Sequence, residues 1–310
     1  MRLVIPNEVR NLPFEAKIAL RTWCDAHFGE RSFASLRMTT HRLFGLSLAC
    51  FVLTAFAANE IAQLPELRDL DLSGWDCLSK FEGIAKTQDG KERNQQKNRT
   101  SIELTGANIP SFDTAAFLAR VAEYDRQIEK KHRRELSPTQ KEQVIALEKQ
   151  IVSITGWAVL AYQGIPETTN CRSQDFLDWH LELSPEAADH PAQVGDPTPI
   201  ICEITPRTQA LLYRSGVRIQ KLAAFLRLPD NSFSPTGSKA HKIRVTGYLM
   251  WDDEHNKPDT DVGSSIGWFS KEGYHHPWRA TGWEIHPVLK IEDLGAHVFD
   301  SRFELVLLGQ

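Results

Sequence analysis

From residue 113 onward the chain runs through two hydrophobic periods, first helical and then alternating. Phe117, Val121, Tyr124 and Ile128 recur at helical spacing behind Asp113, a candidate N-cap. Ser137-Pro138-Thr139-Gln140 has the order of a capping box with proline at the first helical position. It opens a second helix whose inner stripe is Val144, Leu147 and Ile151. The two are expected to pair as an N-terminal helical hairpin, with the cations of Lys130 to Arg134 facing the C-terminal dipole of the first.

Beyond residue 151 the period drops to two, the mark of half-buried strands. Strands are expected over Ile151–Tyr162, Phe176–Leu183, Pro199–Thr205, Lys242–Trp251 and Thr281–Glu292. Thr208–Arg227 is expected to be helical, with Leu211, Leu212, Ile219, Leu222 and Phe225 inward and Gly216 as a break. The last strand carries the clearest two-sided pattern. Trp283, Ile285, Leu289 and Ile291 lie on one face, and Glu284, His286 and Lys290 on the other. Three strands, a helix and two strands is the order of a small Greek-key, OB-like β-barrel. The expected fold is therefore α+β: an OB-like barrel of five main strands over 151–310, with the loop and helical hairpin region over 58–150.

The N-terminal part is less periodic. Leu70 to Leu78 is an ordered patch anchored by Trp75, and Lys86–Arg99, polar and basic, reads as a solvated loop. Residues 38–57 have the tripartite order of a signal peptide: Met38-Thr39-Thr40-His41-Arg42, an apolar run from Leu43 to Phe56, and Ala55-Phe56-Ala57 as cleavage site. The apolar run is short for a membrane span, so no span is expected after cleavage. Residues 1–37 resemble a translated intergenic repeat, on Val4-Ile5-Pro6-Asn7-Glu8-Val9-Arg10-Asn11-Leu12 and Ser32-Phe33-Ala34-Ser35-Leu36-Arg37-Met38-Thr39. They are taken as a spurious extension outside the fold.

Composition agrees with an ordinary globular protein, at 41% hydrophobic and 25% charged residues. The net charge of -4 falls to about −7 without residues 1–57, which leaves 29 Lys and Arg against 36 Asp and Glu. That balance argues against a nucleic-acid partner. Export, periplasmic or extracellular, puts Cys77, Cys171 and Cys202 in an oxidising compartment, where an odd count permits one disulfide. Cys202 sits on the apolar side of a predicted strand, which leaves Cys77–Cys171 as the preferred pair.

A set of spaced motifs runs through the second half. They are Thr155-Gly156-Trp157, Pro166-Glu167-Thr168-Thr169-Asn170-Cys171, Asp178-Trp179-His180, Glu203-Ile204-Thr205-Pro206-Arg207, Val245-Thr246-Gly247-Tyr248 and Trp283-Glu284-Ile285-His286-Pro287-Val288. Together they resemble a group of exported bacterial proteins of uncharacterised function that look like OB-type barrels. The resemblance covers about half the chain and brings no activity with it.

Chemistry concentrates on strand faces. Asp178 and His180 share one face of their strand, and Glu284 and His286 repeat that spacing. With Glu203 on the strand between, the OB order would bring all five to one outer surface, with Arg207 at its edge. Two imidazoles and three carboxylates suit a divalent metal such as zinc, and a metal-dependent hydrolase would use Glu203 or Glu284 as base to a bound water. A hydrogen-bonded structural network accounts for the same residues without a metal. The long loop from Asp252 to Arg279 and its neighbours supply aromatics for a ligand: Trp251, Trp268, Tyr274 and Trp278, with Arg207. The chain is expected to be an exported binding or interaction module for a saccharide or protein, with the metal-dependent hydrolase as the alternative.

Overall fold

The structure is a computed structural model and describes residues 64–100, 108–128, 132–257, 261–263, 268–269 and 275–296. The expected extension, signal peptide and Tyr274, together with the side chain of Trp268, lie outside what is described. Among the described residues, no helix is long and apolar enough to cross a membrane.

Residues 88–97, expected as a solvated loop, form helix α1 (Gln88–Lys97). Thr87 caps it by accepting a hydrogen bond from the Gly90 amide at 3.1 Å, Asp89 stands in the first turn and Lys97 in the last. The correction has a physical reason: this helix buries charged rather than apolar side chains, so no hydrophobic period records it. A short strand β1 (Ser111–Asp113) leads into α2 (Thr114–Ile128), where Asp113 accepts from the Ala116 amide at 2.7 Å. Helix α3 (Pro138–Glu148) opens with the expected capping box: the Ser137 hydroxyl accepts from the Gln140 amide, and the Gln140 side chain accepts from the Ser137 amide. Arg133, expected to face a helix dipole, is instead buried against Glu148 and Asp253.

Five strands close into a barrel of mixed direction. They are β2 (Ile151–Gln163), β3 (Trp179–Ser184), β4 (Ile200–Ile204), β7 (His241–Trp251) and β10 (Trp283–Ala296). β3 pairs antiparallel with β2 and β4, β4 runs parallel to β10, and β7 lies antiparallel between β10 and β2. Closure depends on the length of β2. Its first half, Ile151 to Trp157, pairs with β7, and its second half, Trp157 to Gln163, pairs with β3. Between β4 and β7 lie α4 (Pro206–Arg214), α5 (Ile219–Leu222) and the two short strands β5 (Phe225–Arg227) and β6 (Phe233–Pro235). The expected helix therefore breaks at Gly216 (φ 96°) and ends before Phe225, and Leu211 is exposed rather than inward. Two further short strands, β8 (Trp268–Phe269) and β9 (His275–His276), pair with each other.

Alternation decides what fills the barrel. Trp179, Leu181 and Leu183 of β3, Ile200, Cys202 and Ile204 of β4, and Trp283 and Ile285 of β10 point into one core with Ile154, Val245, Leu249 and Trp251. Phe117, Val121, Tyr124 and Ile128 of α2 pack against the same core, and Tyr124 meets Trp283 edge-on at 5.5 Å. The period-two pattern of β10 does not hold past Ile285. Register shifts on both sides of Val288 put that residue in the core, where simple alternation would have placed Leu289.

At the first shift the two strands come very close. A Cβ at Gly247 would lie 2.6 Å from Ile285 Cγ2 and collide with the Pro287 carbonyl oxygen. Gly247→Ala is therefore expected to destabilise the fold by about 1–3 kcal/mol, read as a lower urea midpoint with unchanged slope.

Candidate functional site

The same alternation that fills the barrel sends His180 and Glu182 of β3, Glu203 of β4, and Glu284 and His286 of β10 to its outer side. These positions are nonetheless buried, as is Asp178 just ahead of β3. The five residues expected as metal ligands do converge, but under a cover rather than on an open surface. The cover consists of α1 with the segment ahead of it that carries Cys77 and Phe81, the loop after β2 that carries Glu167 and Asn170, and Asp252 just past β7. Residue Arg279, ahead of β10, closes the cluster from the same side.

Glu203 is the hub. One oxygen lies 3.2 Å from His180 Nε2 and the other 2.9 Å from His286 Nδ1. The same His286 nitrogen lies 3.0 Å from Glu284, whose second oxygen accepts from Arg279 at 2.8 Å. The ammonium of Lys97 stands among Glu167 at 3.3 Å, Asp252 at 3.5 Å and Glu203 at 3.8 Å. Asn170 donates to Asp178 Oδ1 at 3.0 Å. The His180 ring stacks on Tyr162 at 4.8 Å, and Gly164 gives it room: a Cβ there would lie 2.7 Å from His180 Cε1.

Burial and pairing pull the acid–base chemistry in opposite directions. Burial would discharge Lys97, but Glu167, Glu203, Asp252 and Glu284 hold its pKa well above the ordinary lysine value. Burial likewise opposes the charge on His286, and Glu203 with Glu284 overcomes it, raising that pKa to about 10. His180 is raised by Glu203 against its own burial. Burial also opposes the charge on Glu203, but Lys97 and the two histidines keep that carboxylate well below its usual range. Asp178 is the exception: burial, reinforced by Glu167, lifts it to about 6.

A second ion network lies beside the first. Asp253 accepts from Arg93 at 3.0 Å and from Arg133 at 3.2 Å, and Arg133 also clasps Glu148. Arg99 reaches the backbone carbonyls of Glu148 and His286. Lys97, Asn98 and Arg99, three consecutive residues, thus each enter the interior. Sequence reasoning missed Lys97 and Arg279 as members of the cluster. The one local signal was the cap chemistry of α1, a Thr followed by an acidic first turn and a lysine in the last.

The residues expected to bind a ligand fare differently. Trp251 is fully buried in the barrel, 6.3 Å from Trp283 between ring centroids, and is unavailable to any ligand. Its expected outward role is corrected by the same alternation that places it inside. Arg207 is spent on the cover: it donates to Asn98 and to the carbonyls of Cys77 and Leu78, and lies 4.6 Å from the Trp75 ring. Trp278 is half-buried, edge-on to His255 and beneath the Arg279 guanidinium at 4.6 Å. The expected disulfide, Cys77–Cys171, is present and joins the segment ahead of α1 to the loop after β2, while Cys202 is a free, buried thiol.

Next to the cluster, a cleft of about 250 Å³ opens between β3 and the loop leading to β4, lined by Glu182, Ser184, Glu186, Asp189, His190 and Asp196 among others. At its wall the buried His276 bridges Glu182, at 2.9 Å from Nε2, and the Ala192 carbonyl, at 2.8 Å from Nδ1. No known protein family, curated protein or solved structure matches the chain.

Two outcomes follow from these pairs. Lys97→Met removes the cation from two buried carboxylates, Glu203 and Asp252, and the half-buried Glu167, and is expected to cost about 3–5 kcal/mol in chemical denaturation. For His276, burial opposes the charged form, but Glu182 and the Ala192 carbonyl overcome it and raise the pKa above the ordinary 6.5. The charged form is the one the fold prefers. Its stabilisation is complete below about pH 6.5 and fades as the pH rises through the raised value. The gap in urea midpoint between wild type and His276→Gln should accordingly narrow with rising pH. A gap constant from about pH 6 to pH 10 would contradict this assignment.

Proposed function

We propose that the chain is an exported binding module built on an OB-like barrel, with a saccharide or protein segment as its ligand. The barrel order supports the OB-like reading. Numbered along the chain, its five main strands pair as first–second–third–fifth–fourth and back to the first, with helices between the third and fourth and a parallel contact between the third and fifth. α2 and α3 are read as the N-terminal helical hairpin. A disulfide within the cover suits an exported protein, periplasmic or extracellular, and joins the spaced motifs in supporting kinship with the exported bacterial group.

The observation that carries the binding reading is the cleft at the β3–β4 loop. The outer face where OB-type barrels hold ligands is filled here by the chain's own cover, with its charges internally matched. The cleft beside it is open and bordered by Glu186, Asp189 and Asp196. Such a border suits hydroxyl donors of a sugar or cationic side chains of a protein and repels the phosphates of a nucleic acid.

A metal-dependent hydrolase is the second reading. It is favoured by the buried trio Asp178, Glu203 and His286, each of which offers a potential ligand atom within 4.8 Å of the others. Zinc bound there would supply an activated water, with Glu284, outside the trio, rather than the ligating Glu203 near it as base. Against that reading stand Lys97 and Arg279, which already neutralise the neighbouring carboxylates.

Titration calorimetry with neutral oligosaccharides, amino-sugar oligosaccharides and a lysine-rich peptide tests the first reading. At least one probe should bind, and the exposed-residue double variant Glu186→Ala/Asp189→Ala should weaken it by roughly tenfold or more, about 1.4 kcal/mol. Binding unchanged in the variant, or no binding by any probe, would remove the cleft from consideration.

A further inference from the structure

We infer, on the metal-dependent reading above, that Asp178, Glu203 and His286 hold a single divalent ion of the zinc class, and that the other acidic group of the cluster does not take a second. Two groups of three potential ligands exist among the described residues, and they share Glu203. One is Asp178, Glu203 and His286; the other is Glu203, Asp252 and Glu284. All five side chains are buried.

The second group is already served by fixed cations. Lys97 lies 3.5 Å from Asp252 and 3.8 Å from Glu203, and Arg279 lies 2.8 Å from Glu284. A divalent ion there would face an ammonium and a guanidinium at close range.

Lys97 and Arg279 reach the first group only through Glu203, at 3.8 and 3.9 Å, and that group retains free valences. Asp178 Oδ1 is held by Asn170, but Oδ2 has no hydrogen-bond partner. Glu203 Oε1 is held by His180, but Oε2, 2.9 Å from His286 Nδ1, has no hydrogen-bond partner. Buried polar atoms are rarely left in that state without an ion or a water. Metal ligands are commonly held in place by hydrogen-bonding partners outside the ligand set. Asn170 gives Asp178 the same kind of support, and His180 steadies Glu203.

Charge gives the same answer by a separate route. Five carboxylates meet in the cluster, those of Glu167, Asp178, Glu203, Asp252 and Glu284, against the two fixed cations Lys97 and Arg279. An ion that displaced the protons of the two histidines would face three negative charges and remove most of that excess. Mixed imidazole and carboxylate ligands favour zinc over magnesium or calcium, which take oxygen alone.

The test begins with the full chain, exported, purified, unfolded in urea with a chelator, and refolded with and without zinc chloride. Elemental analysis after dialysis should find one zinc per chain. Competition with a chromophoric chelator should show at least a tenfold weaker site in Asp178→Asn, in line with the roughly 10–100-fold effects of losing a partner at such sites. The control Glu292→Gln, on the half-exposed end of β10, should bind like wild type. Circular dichroism and a urea midpoint establish that each variant is folded, and His286→Gln replaces Asp178→Asn if the latter is not. No zinc in the folded protein, two zinc ions per chain, or affinity unmoved by both variants would overturn the assignment. Stoichiometric zinc without hydrolysis of ester or phosphate substrates would uphold the site and remove the hydrolase.

Discussion

The charged side chains on the outer face of β3, β4 and the start of β10 must meet opposite charges, because α1 and the loop after β2 lie over that face. Taking an ion out of water costs several kcal/mol, and only close pairing and hydrogen bonds offset that cost. The cover is shaped by this requirement. Lys97 enters the carboxylates, Arg93 and Arg133 share Asp253, and Arg99 takes up backbone carbonyls. Little apolar surface holds the cover down. Covalent and clamping contacts supply the rest. Arg207 grips three of its groups, and the disulfide spans 94 residues. In the chain-entropy account, closing a loop of that size stabilises the fold by about 4–5 kcal/mol.

The barrel was legible in the sequence because each of its strands has one apolar side. Trp179, Leu181 and Leu183 alternate with polar neighbours, and that alternation is the physical cause of their burial as well as its written record. Caps were legible for a similar reason. Ser137-Pro138-Thr139-Gln140 satisfies orphan amides with its own side chains, so its meaning is local. Cysteine parity and the inward side of Cys202 pointed to the bridge that the fold contains.

What escaped the sequence depends on partners far away in the chain. Helix α1 carries no apolar stripe, because the groups that bury it are carboxylates contributed by residues 167, 203 and 252. Nothing within the helix distinguishes that from a solvated, basic loop. The same holds for the outer face itself. Alternation correctly placed His180, Glu203, Glu284 and His286 together, but alternation says only which side a residue takes, not whether that side meets water. Trp251 was mistaken in the converse way, an aromatic at a strand end read as a surface feature. The register shifts around Val288 depend on the close approach at Gly247, which a single strand's pattern does not contain.

The closed charge network also constrains how this sequence can change over generations. A single substitution at Lys97, Asp252, Arg279 or Glu284 leaves an unmatched charge buried, and such a state is penalised before any partner can respond. A route through two apolar replacements together is open energetically, since well-packed hydrophobic pairs can equal buried ion pairs, but its intermediate is costly. These positions are therefore expected to drift as a block or not at all, while the cleft-lining residues Glu186 and Asp189 are free to vary one at a time. The part of the molecule able to acquire a new partner lies beside the network, and the network keeps the barrel beneath it the same.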